Sequence, residues 1–321
     1  MTASDAPRSA TGAPRPLLEE LLQRVRRELS SRDEDPTGAW VEESAAELAR
    51  GSKPGWYLPE TAGGGIVFYA RSGPAAYGHL HTEAGSQAAL QLAGALLAGL
   101  PSEVLSLDLG FTGLAPEDER VVVAGLAGTP GSTVIERQAM ERPLSPADGR
   151  FPPDPPPGIE RVPARAVTVE ALAELDRQAF RGSVDELLVG AEPDANLRAM
   201  EALLAGRLGG FLDEASCAIL APEPTRLLGA VLCAERSSHR AIVGALMVEP
   251  GQRRRGLGRY LLGWSLRALW ALGYEGARLW VSVENAPAIS LYRAFGFRES
   301  LFATIYRWDR PPSSSHPQRV R

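Results

Sequence analysis

The sequence predicts a mixed α/β protein made of two successive domains, and three observations support this prediction. The chain has 321 residues, a length that suits two domains of roughly 150 residues each. The segment from Ser145 to Gly158 is rich in proline, disfavours helix and central strand, and divides the chain almost in half. Each half alternates helical periodicity with short aliphatic runs, as expected of a mixed, mostly antiparallel sheet flanked by helices.

The composition is that of a globular protein and disfavours several classes. Hydrophobic residues make up 44% of the chain and charged residues 23%, close to globular averages. The net charge of −5 disfavours broad binding to nucleic acid or to an anionic membrane, so any anion site must be local. Cys217 and Cys233 lack a metal-binding pattern and are expected to be buried thiols. Since the sequence shows neither a signal peptide nor a membrane span, we expect a cytoplasmic protein.

The first half predicts helices and strands in an order that the second half repeats weakly, which indicates an internal duplication. One of its strands carries His79, His81 and Glu83 on a single face. These side chains could form a metal or acceptor site, or simply a solvated face, since no fourth ligand is evident. Periodicity predicts helices over 17–29, 40–50, 86–100 and 117–126, and strands over 65–70, 75–83, 104–110 and 132–144.

The second half predicts two helices, three hairpin-linked antiparallel strands, a helix, a strand, a short helix and a final strand pair. Thr168 is a suitable N-cap for the first helix, and Asn285 for the last. The middle helix stops at Gly273, a residue suited to a left-handed cap. The predicted helices cover 168–180, 196–213, 257–272 and 286–295, and the strands cover 216–222, 226–236, 240–250, 277–283 and 297–308.

The stretch from Val248 to Leu262 joins the third hairpin strand to the middle helix through three consecutive arginines and Gly-Leu-Gly. A glycine-rich turn that opens a helix directs several N–H groups at one spot, which favours an anion. Gly256 and Gly258 would let the backbone approach a pyrophosphate, and Arg259 adds charge to that of the three arginines. The dinucleotide-binding and Walker patterns both fit poorly. A phosphate-bearing ligand of another kind is therefore predicted, with a solvated turn as the alternative.

This stretch resembles the GNAT superfamily of acetyl-CoA-dependent N-acetyltransferases, whose signature is Gln/Arg-x-x-Gly-x-Gly/Ala after a Val-x-Pro strand end. Arg253, Gly256 and Gly258 occupy the fixed positions, and a second superfamily pattern matches from Val281 to Phe297. The resemblance implies a catalytic domain over 159–310 and a degenerate domain of the same fold over 16–144. Residues 145–158 would form a linker, and residues 1–15 and 311–321 disordered tails. Such a tandem pair is similar in architecture to the mycothiol synthases.

The resemblance also implies roles for individual residues toward acetyl-CoA. The strand that ends at Val248 should part from its neighbour, so that backbone groups can pair with the pantetheine arm while the loop amides hold the pyrophosphate. Asn285 would contact the pantetheine, act as a plain N-cap, or do both. Tyr292 would be the general acid that protonates the departing thiolate, with simple packing as the alternative. The implied coenzyme-binding residues are Leu246, Met247, Val248, Arg253, Arg254, Arg255, Gly256, Leu257, Gly258, Arg259 and Asn285.

The base that takes the proton of the amine is not evident. Many members of the superfamily carry a carboxylate on the strand corresponding to 240–248, and this chain has none there. A water relay, a remote acid such as Glu235, and a partly deprotonated acceptor stay open, with His239 as a weaker candidate. We expect residues 180–187 to contact the acceptor, where Asp185 and Glu186 could face a cationic amine or form a solvated turn.

The predicted function is transfer of the acetyl group of acetyl-CoA to the primary amine of a small molecule. The amine would attack directly in a ternary complex, without a metal, in a monomer or a homodimer. Two alternatives stay open. The acceptor could be a peptide or protein N-terminus, or the chain could be a non-catalytic acyl-CoA sensor.

Overall fold

The computed structural model describes residues 6–31, 38–59, 64–151, 154–189, 194–207, 209–222, 226–237 and 239–311. Two compact units make up the chain: a first unit of residues 1–135 with 303–321, and a second unit of residues 136–302. This division differs from the one predicted at the proline-rich segment. The reason is that the last strand of each half crosses a unit boundary, so each unit contains residues from both halves of the sequence.

The first half forms the predicted helices and strands, together with two short strands that the sequence did not reveal. Strand β1 lies within residues 1–15, which were predicted to be disordered, and its neighbour Ala10 is fully buried. Residues 1–5 of that segment lie outside the described part of the chain. The elements are β1 (Arg8–Ser9), α1 (Arg15–Ser31), α2 (Gly38–Arg50), β2 (Gly55–Leu58), β3 (Gly65–Ser72), β4 (Ala75–His81), α3 (Ser86–Gly99), β5 (Ser106–Thr112), α4 (Pro116–Ala127) and β6 (Ser132–Pro143).

The second half also follows the predicted order, with two corrections and two short elements that were not predicted, Glu160–Pro163 and Glu186–Val189. The helix predicted over 196–213 ends at Leu204, since Gly206 takes a left-handed φ of 72° just beyond it. The predicted final strand pair is one strand, and the predicted stretch contains no Gly, Pro, Asn or Asp to favour a turn within it. The elements are β7 (Glu160–Pro163), α5 (Val169–Phe180), α6 (Glu186–Val189), α7 (Ala195–Leu204), β8 (Cys217–Ala221), β9 (Arg226–Ser237), β10 (Arg240–Val248), α8 (Leu257–Ala271), β11 (Gly276–Ser282), α9 (Ala286–Ala294) and β12 (Arg298–Asp309).

The first unit is a sheet with helices on both faces. Its strands lie in the order β1-β2-β3-β4-β5, and the Ile305–Asp309 segment of β12 pairs antiparallel with β5. Side chains alternate between the faces along each strand. Val67 accordingly packs with α3 and α4, whereas Ile66 packs with α1 and α2. None of the helices in the described ranges is both long and apolar enough to cross a membrane.

The second unit contains a mixed sheet in the order β6-β11-β10-β9-β8-β7. Only β10 and β11 run parallel; the other neighbouring strands are antiparallel, and β8, β9 and β10 follow one another as predicted. One face carries α8 and α9 over a core that includes Val231, and the other carries α5 and α7 over a core that includes Leu232. The structure confirms the predicted mixed α/β class.

Candidate functional site

The two parallel strands of the second unit part from each other halfway along their length. Strands β10 and β11 pair only from Arg240 opposite Gly276 to Val243 opposite Leu279. Beyond that point β10 stays paired with β9, and β11 with β6. A register shift between Val243 and Ala245 lies at the branch point, as expected of a bulge that bends a strand. The result is an opening between the carboxyl ends of two parallel strands, where α/β sheets commonly bind ligands.

Backbone groups of β10 face this opening. The N–H of Glu249 donates to the carbonyl of Leu228 on β9 at 2.9 Å. Since backbone groups alternate in direction along a strand, Met247 also faces β9, whereas Leu246 and Val248 turn toward the opening. An extended ligand could therefore pair with Leu246 and Val248 as an added strand. Met247, which the resemblance grouped with them, has its side chain fully buried in the core.

The chain turns sharply from β10 into α8. Gly256 precedes the helix with a left-handed φ of 84°, and Arg254 also has a positive φ of 62°. No side chain caps the start of α8, so the N–H groups of its first turn are available to a ligand. At Gly258 a Cβ would lie 3.5 Å from Leu291 and 3.7 Å from Val248. A Cβ would thus be in ordinary contact there, and a larger side chain would fill the space between the start of α8, α9 and the end of β10.

The arginines of the turn, residues 253 to 255 and 259, are placed differently from one another. The guanidinium of Arg253 donates to the carbonyl of Ala179 at the end of α5. Arg255 donates to a side-chain oxygen within the turn at 3.1 Å, and Arg259 lies 5.2 Å from the ring centroid of Phe295. None of the four forms an ion pair with a residue that the structure describes. Their positive charge is therefore available to an anion.

A cavity of about 540 Å³ lies beside the start of α8, within the second unit. Two aromatic rings in its wall, Phe151 and Phe295, have centroids 6.2 Å apart. Arg150 and Arg259 also line it. Phe151 packs closely on α8, because a Cβ at Gly263 would approach its ring to 2.3 Å. The first part of the predicted linker, up to Phe151, therefore packs within this unit.

A cluster of polar side chains lies at the parted end of β11. Asp185, from the loop between α5 and α6, is 8% exposed. It accepts hydrogen bonds from the hydroxyl of Ser282 at 2.5 Å and from the amide of Asn285 at 2.9 Å. Asn285 also caps α9, since its oxygen accepts from the N–H of Ala288 at 3.2 Å. Glu186, which follows Asp185, is exposed and accepts a hydrogen bond from a backbone N–H of its own loop at 2.7 Å.

Tyr292 of α9 faces the same cluster. Its ring centroid lies 6.0 Å from that of Phe297, and its side chain is buried. Burial and, to a smaller extent, the negative charge of Asp185 raise the pKa of the Tyr292 phenol, while Arg137 opposes them. The phenol therefore stays protonated at neutral pH and can donate a proton. Arg137, on β6, was not among the residues singled out from the sequence, because the local pattern around it is that of an ordinary strand.

The other base candidates lie away from the parted strands. Glu235 is exposed on β9, opposite Ala241, at the end where β10 and β11 are still paired. His239 is 67% exposed and lies 3.5 Å from a carboxylate oxygen of Glu275 in the same turn region. The carboxylate bonded to Ser282 and Asn285 at the parted end of β11 is that of Asp185, which the sequence analysis named with Glu186 as able to face a cationic amine or to form a solvated turn.

In the first unit, the corresponding strands do not part. Strands β4 and β5 run parallel and pair along their whole length, from Ala75 opposite Ser106 to His81 opposite Thr112. The ring nitrogens of His79 and His81 lie 2.8 Å and 3.0 Å from the Thr112 hydroxyl. Burial is the main cause that lowers the pKa of His81. Among the residues with described positions, no group of three or more His, Cys, Asp or Glu side chains could hold a metal ion.

Comparison with protein families and sequences relates this site to known enzymes. The model of the Acetyltransferase (GNAT) family matches residues 170–297. The mycothiol acetyltransferase of Clavibacter michiganensis subsp. michiganensis is 41% identical over 68 residues, which cover 21% of this chain and 22% of that protein. The [ribosomal protein bS18]-alanine N-acetyltransferase of Salmonella typhimurium is 39% identical over 75 residues, 23% of this chain and 49% of that protein. The chain thus matches less than half the length of either relative.

Solved structures extend the likeness to the whole chain at the level of fold. A GCN5-related N-acetyltransferase from Sphaerobacter thermophilus has a TM-score of 0.59 at 15% identity, covering 97% of this chain and 98% of that one. A tandem GNAT protein from the clavulanic acid biosynthesis pathway has a TM-score of 0.57 at 12% identity, covering 96% and 99%. Residues 170–297 of the second unit thus match the GNAT family model, and the fold of nearly the whole chain is similar to that of a tandem GNAT protein.

Proposed function

We propose that this chain is an N-acetyltransferase that transfers the acetyl group of acetyl-CoA to the primary amine of a small molecule, with its active site in the second unit. The observation that carries the proposal is the parting of β10 and β11 directly before the glycine turn that opens α8. The family match to residues 170–297 supports it, because the matched region contains the parted strands, the turn and Tyr292.

The groups around the opening fit a ligand with an extended arm, a pyrophosphate and a nucleotide. Leu246 and Val248 would pair with the pantetheine arm, and the uncapped first turn of α8 would hold the pyrophosphate. The arginines of the turn, which form no ion pair with a carboxylate of the described residues, would balance its charge. The cavity lined by Phe151 and Phe295 would take the adenosine end. When bound, acetyl-CoA supplies an acetyl group activated as a thioester.

Asp185 would orient the acceptor and assist its deprotonation. Its two oxygens accept one hydrogen bond each from Ser282 and Asn285. Further lone pairs therefore remain for an ammonium group, because a carboxylate can accept about four hydrogen bonds. An amine attacks only as the neutral species, so its proton must pass to Asp185 or to water. Asp185 would thus replace the strand carboxylate that β10 lacks.

Tyr292 would act as the general acid. Its raised pKa keeps the phenol protonated, and the phenol faces the cluster at the parted end of β11. A protonated group placed there can donate its proton to the thiolate that leaves when the thioester is cleaved. Attack by the amine and departure of the thiolate would both occur in the ternary complex, so no covalent intermediate on the protein is required.

The first unit would not bind the coenzyme in this way. Strands β4 and β5 stay paired to their ends, and Thr112 joins the two histidines across that end. The connection from His81 to the start of α3 at Ser86 is also short and carries no arginine. We therefore propose one acetyl-CoA site per chain, with a degenerate first unit.

A second candidate acceptor is a peptide or protein N-terminus. The observation that favours it is the similarity to the bS18-alanine N-acetyltransferase over 75 residues. An assay that supplies small amines and short peptides in parallel separates the two candidates, since both use the same coenzyme. Acetylation of peptides alone would replace the small-molecule acceptor while leaving the coenzyme site as proposed.

The coenzyme site is tested by calorimetric titration of the full chain with acetyl-CoA. We expect one site per chain, and a loss of about 100-fold in affinity, or about 2.7 kcal/mol, in Gly258→Leu. The added side chain would occupy the space between α8, β10 and α9 that the glycine leaves for close approach of the ligand.

The matched control is Gly94→Leu on α3 of the first unit, where a Cβ meets nothing within 4 Å. It should bind acetyl-CoA as the wild type does. Far-UV circular dichroism and thermal melting establish that both variants are folded. Unchanged affinity in a folded Gly258→Leu variant would contradict the proposed coenzyme site.

A further inference from the structure

Arg137 lies on the same face of the sheet as the polar cluster. It is on β6, directly opposite Ser282 of β11 in the antiparallel register. Side chains that lie directly opposite each other across two strands project to the same face. Since the hydroxyl of Ser282 donates to Asp185, the guanidinium of Arg137 is on the side of the sheet where Asp185 lies. Its charge also acts on both Asp185 and Tyr292.

The guanidinium of Arg137 has a buried donor that no acceptor in the described part of the chain satisfies. Its Nε atom is buried without a hydrogen bond, and the side chain forms no ion pair with a described residue. Both oxygens of Asp185 are instead bonded to Ser282 and Asn285. A buried N–H group that has lost water without gaining an acceptor costs free energy. Some compensating acceptor is therefore expected when the site is in use.

Two other arginines of the same sheet can be compared with Arg137 by the partners of their guanidinium groups. The Nε of Arg278 on β11 donates to Glu141 at 2.7 Å. Arg142, on the same strand as Arg137, donates to Asp148 at 2.8 Å. Both therefore have a carboxylate of the protein as partner. Arg137 differs from them, because its Nε has no acceptor among the described residues and it lies on the face of the sheet where Asp185 is found.

We propose that Arg137 binds a carboxylate of the acceptor, so that the acceptor is an amino acid or a similar amine whose carboxylate lies close to the reacting nitrogen. This inference rests on the proposed acetyltransferase function. Asp185 holds the ammonium end, and Arg137 holds the carboxylate end. The Nε edge of a guanidinium matches the two oxygens of a carboxylate, which makes a planar, two-bonded contact possible. Arg137 is thus a specificity-determining residue.

The experiment compares acceptors that differ only in this charge. The full chain, with saturating acetyl-CoA, is assayed for release of the CoA thiol with a panel of L-amino acids and with the amide of each. The ratio of kcat/KM for acid and amide is compared between wild type and variants, so that differences in amine pKa cancel. We expect the ratio to fall about 30-fold in Arg137→Met, mainly through KM, because a charge-assisted contact is lost.

Two variants and one binding measurement complete the design. Arg137→Lys should recover part of the ratio, since it keeps the charge but not the planar fork. Arg293→Met removes a charge that is 63% exposed and paired with Glu299 on the outer side of α9, and should leave the ratio unchanged. Titration of the preferred amino acid into protein saturated with free CoA gives its affinity without turnover, and this affinity should fall in Arg137→Met.

Three outcomes would overturn the inference. The first is equal use of acid and amide by the wild type, and the second is an equal loss for both in Arg137→Met, which would place Arg137 in support of Tyr292 instead. The third is acetylation of other amines but of no amino acid, which leaves the proposed function intact. Binding of acetyl-CoA without acetylation of any amine would overturn the proposed function itself, and the inference with it.

Discussion

Asn285 illustrates how one side chain in this site serves two elements. Its oxygen caps α9 while its amide donates to Asp185 on a loop of the opposite face. The sequence left open whether this residue caps a helix or contacts the coenzyme. The cap is present, and the remaining N–H is still available to a ligand, because an amide nitrogen carries two hydrogens. The position of Asp185 therefore depends on the start of the helix that carries Tyr292.

Replacement of Tyr292 by Phe separates a catalyst from an acyl-CoA sensor. A general acid contributes about 10² to 10⁴ in rate, so we expect kcat to fall by that factor. The affinity for acetyl-CoA, measured by calorimetry, should stay within about twofold, because the phenol makes no contact that binding alone requires. Burial raises the pKa of this phenol. Its ionisation should therefore cause no loss of wild-type kcat between about pH 7 and 9, below the usual tyrosine pKa near 10.

The control for this variant is Tyr274→Phe, at the end of the sheet where β10 and β11 are paired. Tyr274 lies near Glu235 and away from the cluster around Asp185. It should retain wild-type turnover. A Tyr292→Phe enzyme with full kcat would show that the thiolate leaves without help from this residue, and Tyr292 would then be a packing residue.

At the scale of elements, local patterns predicted most helices and strands but not how strands combine. The helix beginning at Leu257 was visible from its periodicity and from Gly256 before it, as the structure confirms. The short strand Glu160–Pro163 was missed, because four residues carry too little pattern. The parting of β10 from β11 was expected only from the family resemblance. It depends on β6 pairing with β11, and no local signal in the sequence specifies that contact.

The residues of the candidate site were likewise only partly predictable from local sequence patterns. Gly256, Asn285 and Tyr292 belong to short motifs and could be found from sequence alone. The role of Asp185 depends on contacts with Ser282 and Asn285, which follow it by roughly a hundred positions in the sequence. Arg137 comes from the other half of the chain. Long-range contacts of this kind are set by the folded sheet, so periodicity and spacing could not reveal them.

The contact between the proline-rich segment and α8 can be tested at the element scale with Gly263→Ala. A Cβ there would reach 2.3 Å from the ring of Phe151, so the ring must move away from the helix. If the cavity receives the adenosine end of the coenzyme, displacement of Phe151 removes one of its aromatic walls. We expect the affinity for adenosine 3′,5′-bisphosphate, measured by calorimetry, to fall about tenfold, or about 1.4 kcal/mol.

Gly94→Ala on α3 is the matched control, because its added Cβ meets no atom within 4 Å. Phe151→Ala should weaken the nucleotide as Gly263→Ala does, since both remove the same ring from the wall. Equal affinity of wild type and Gly263→Ala for the bisphosphate would place the adenosine end elsewhere.

At the scale of the whole molecule, the two units do not coincide with the two halves of the sequence. The second unit includes residues 136–143 of β6, which lie before the region matched by the family model. The first unit includes the last described strand segment, Ile305–Asp309, which follows that region. A piece containing only residues 170–297 would therefore lack the strand that borders β11 and carries Arg137.

Removal of the chain after residue 302 tests this arrangement. Such a variant keeps all of the second unit but loses Tyr306 and Trp308, which are 0% and 8% exposed in the core of the first unit. Deleting a buried aromatic side chain commonly costs about 3 to 5 kcal/mol, so the first unit should lose most of its stability. Hydrogen exchange should show fast exchange of the β5 amides within residues 106–110, which lose their antiparallel partner. Titration with acetyl-CoA should still detect the site of the second unit.

A chain ending at Pro311 keeps the paired strand and should exchange as the wild type does. Full protection of β5 in the shorter chain would contradict the assignment of the last strand to the first unit.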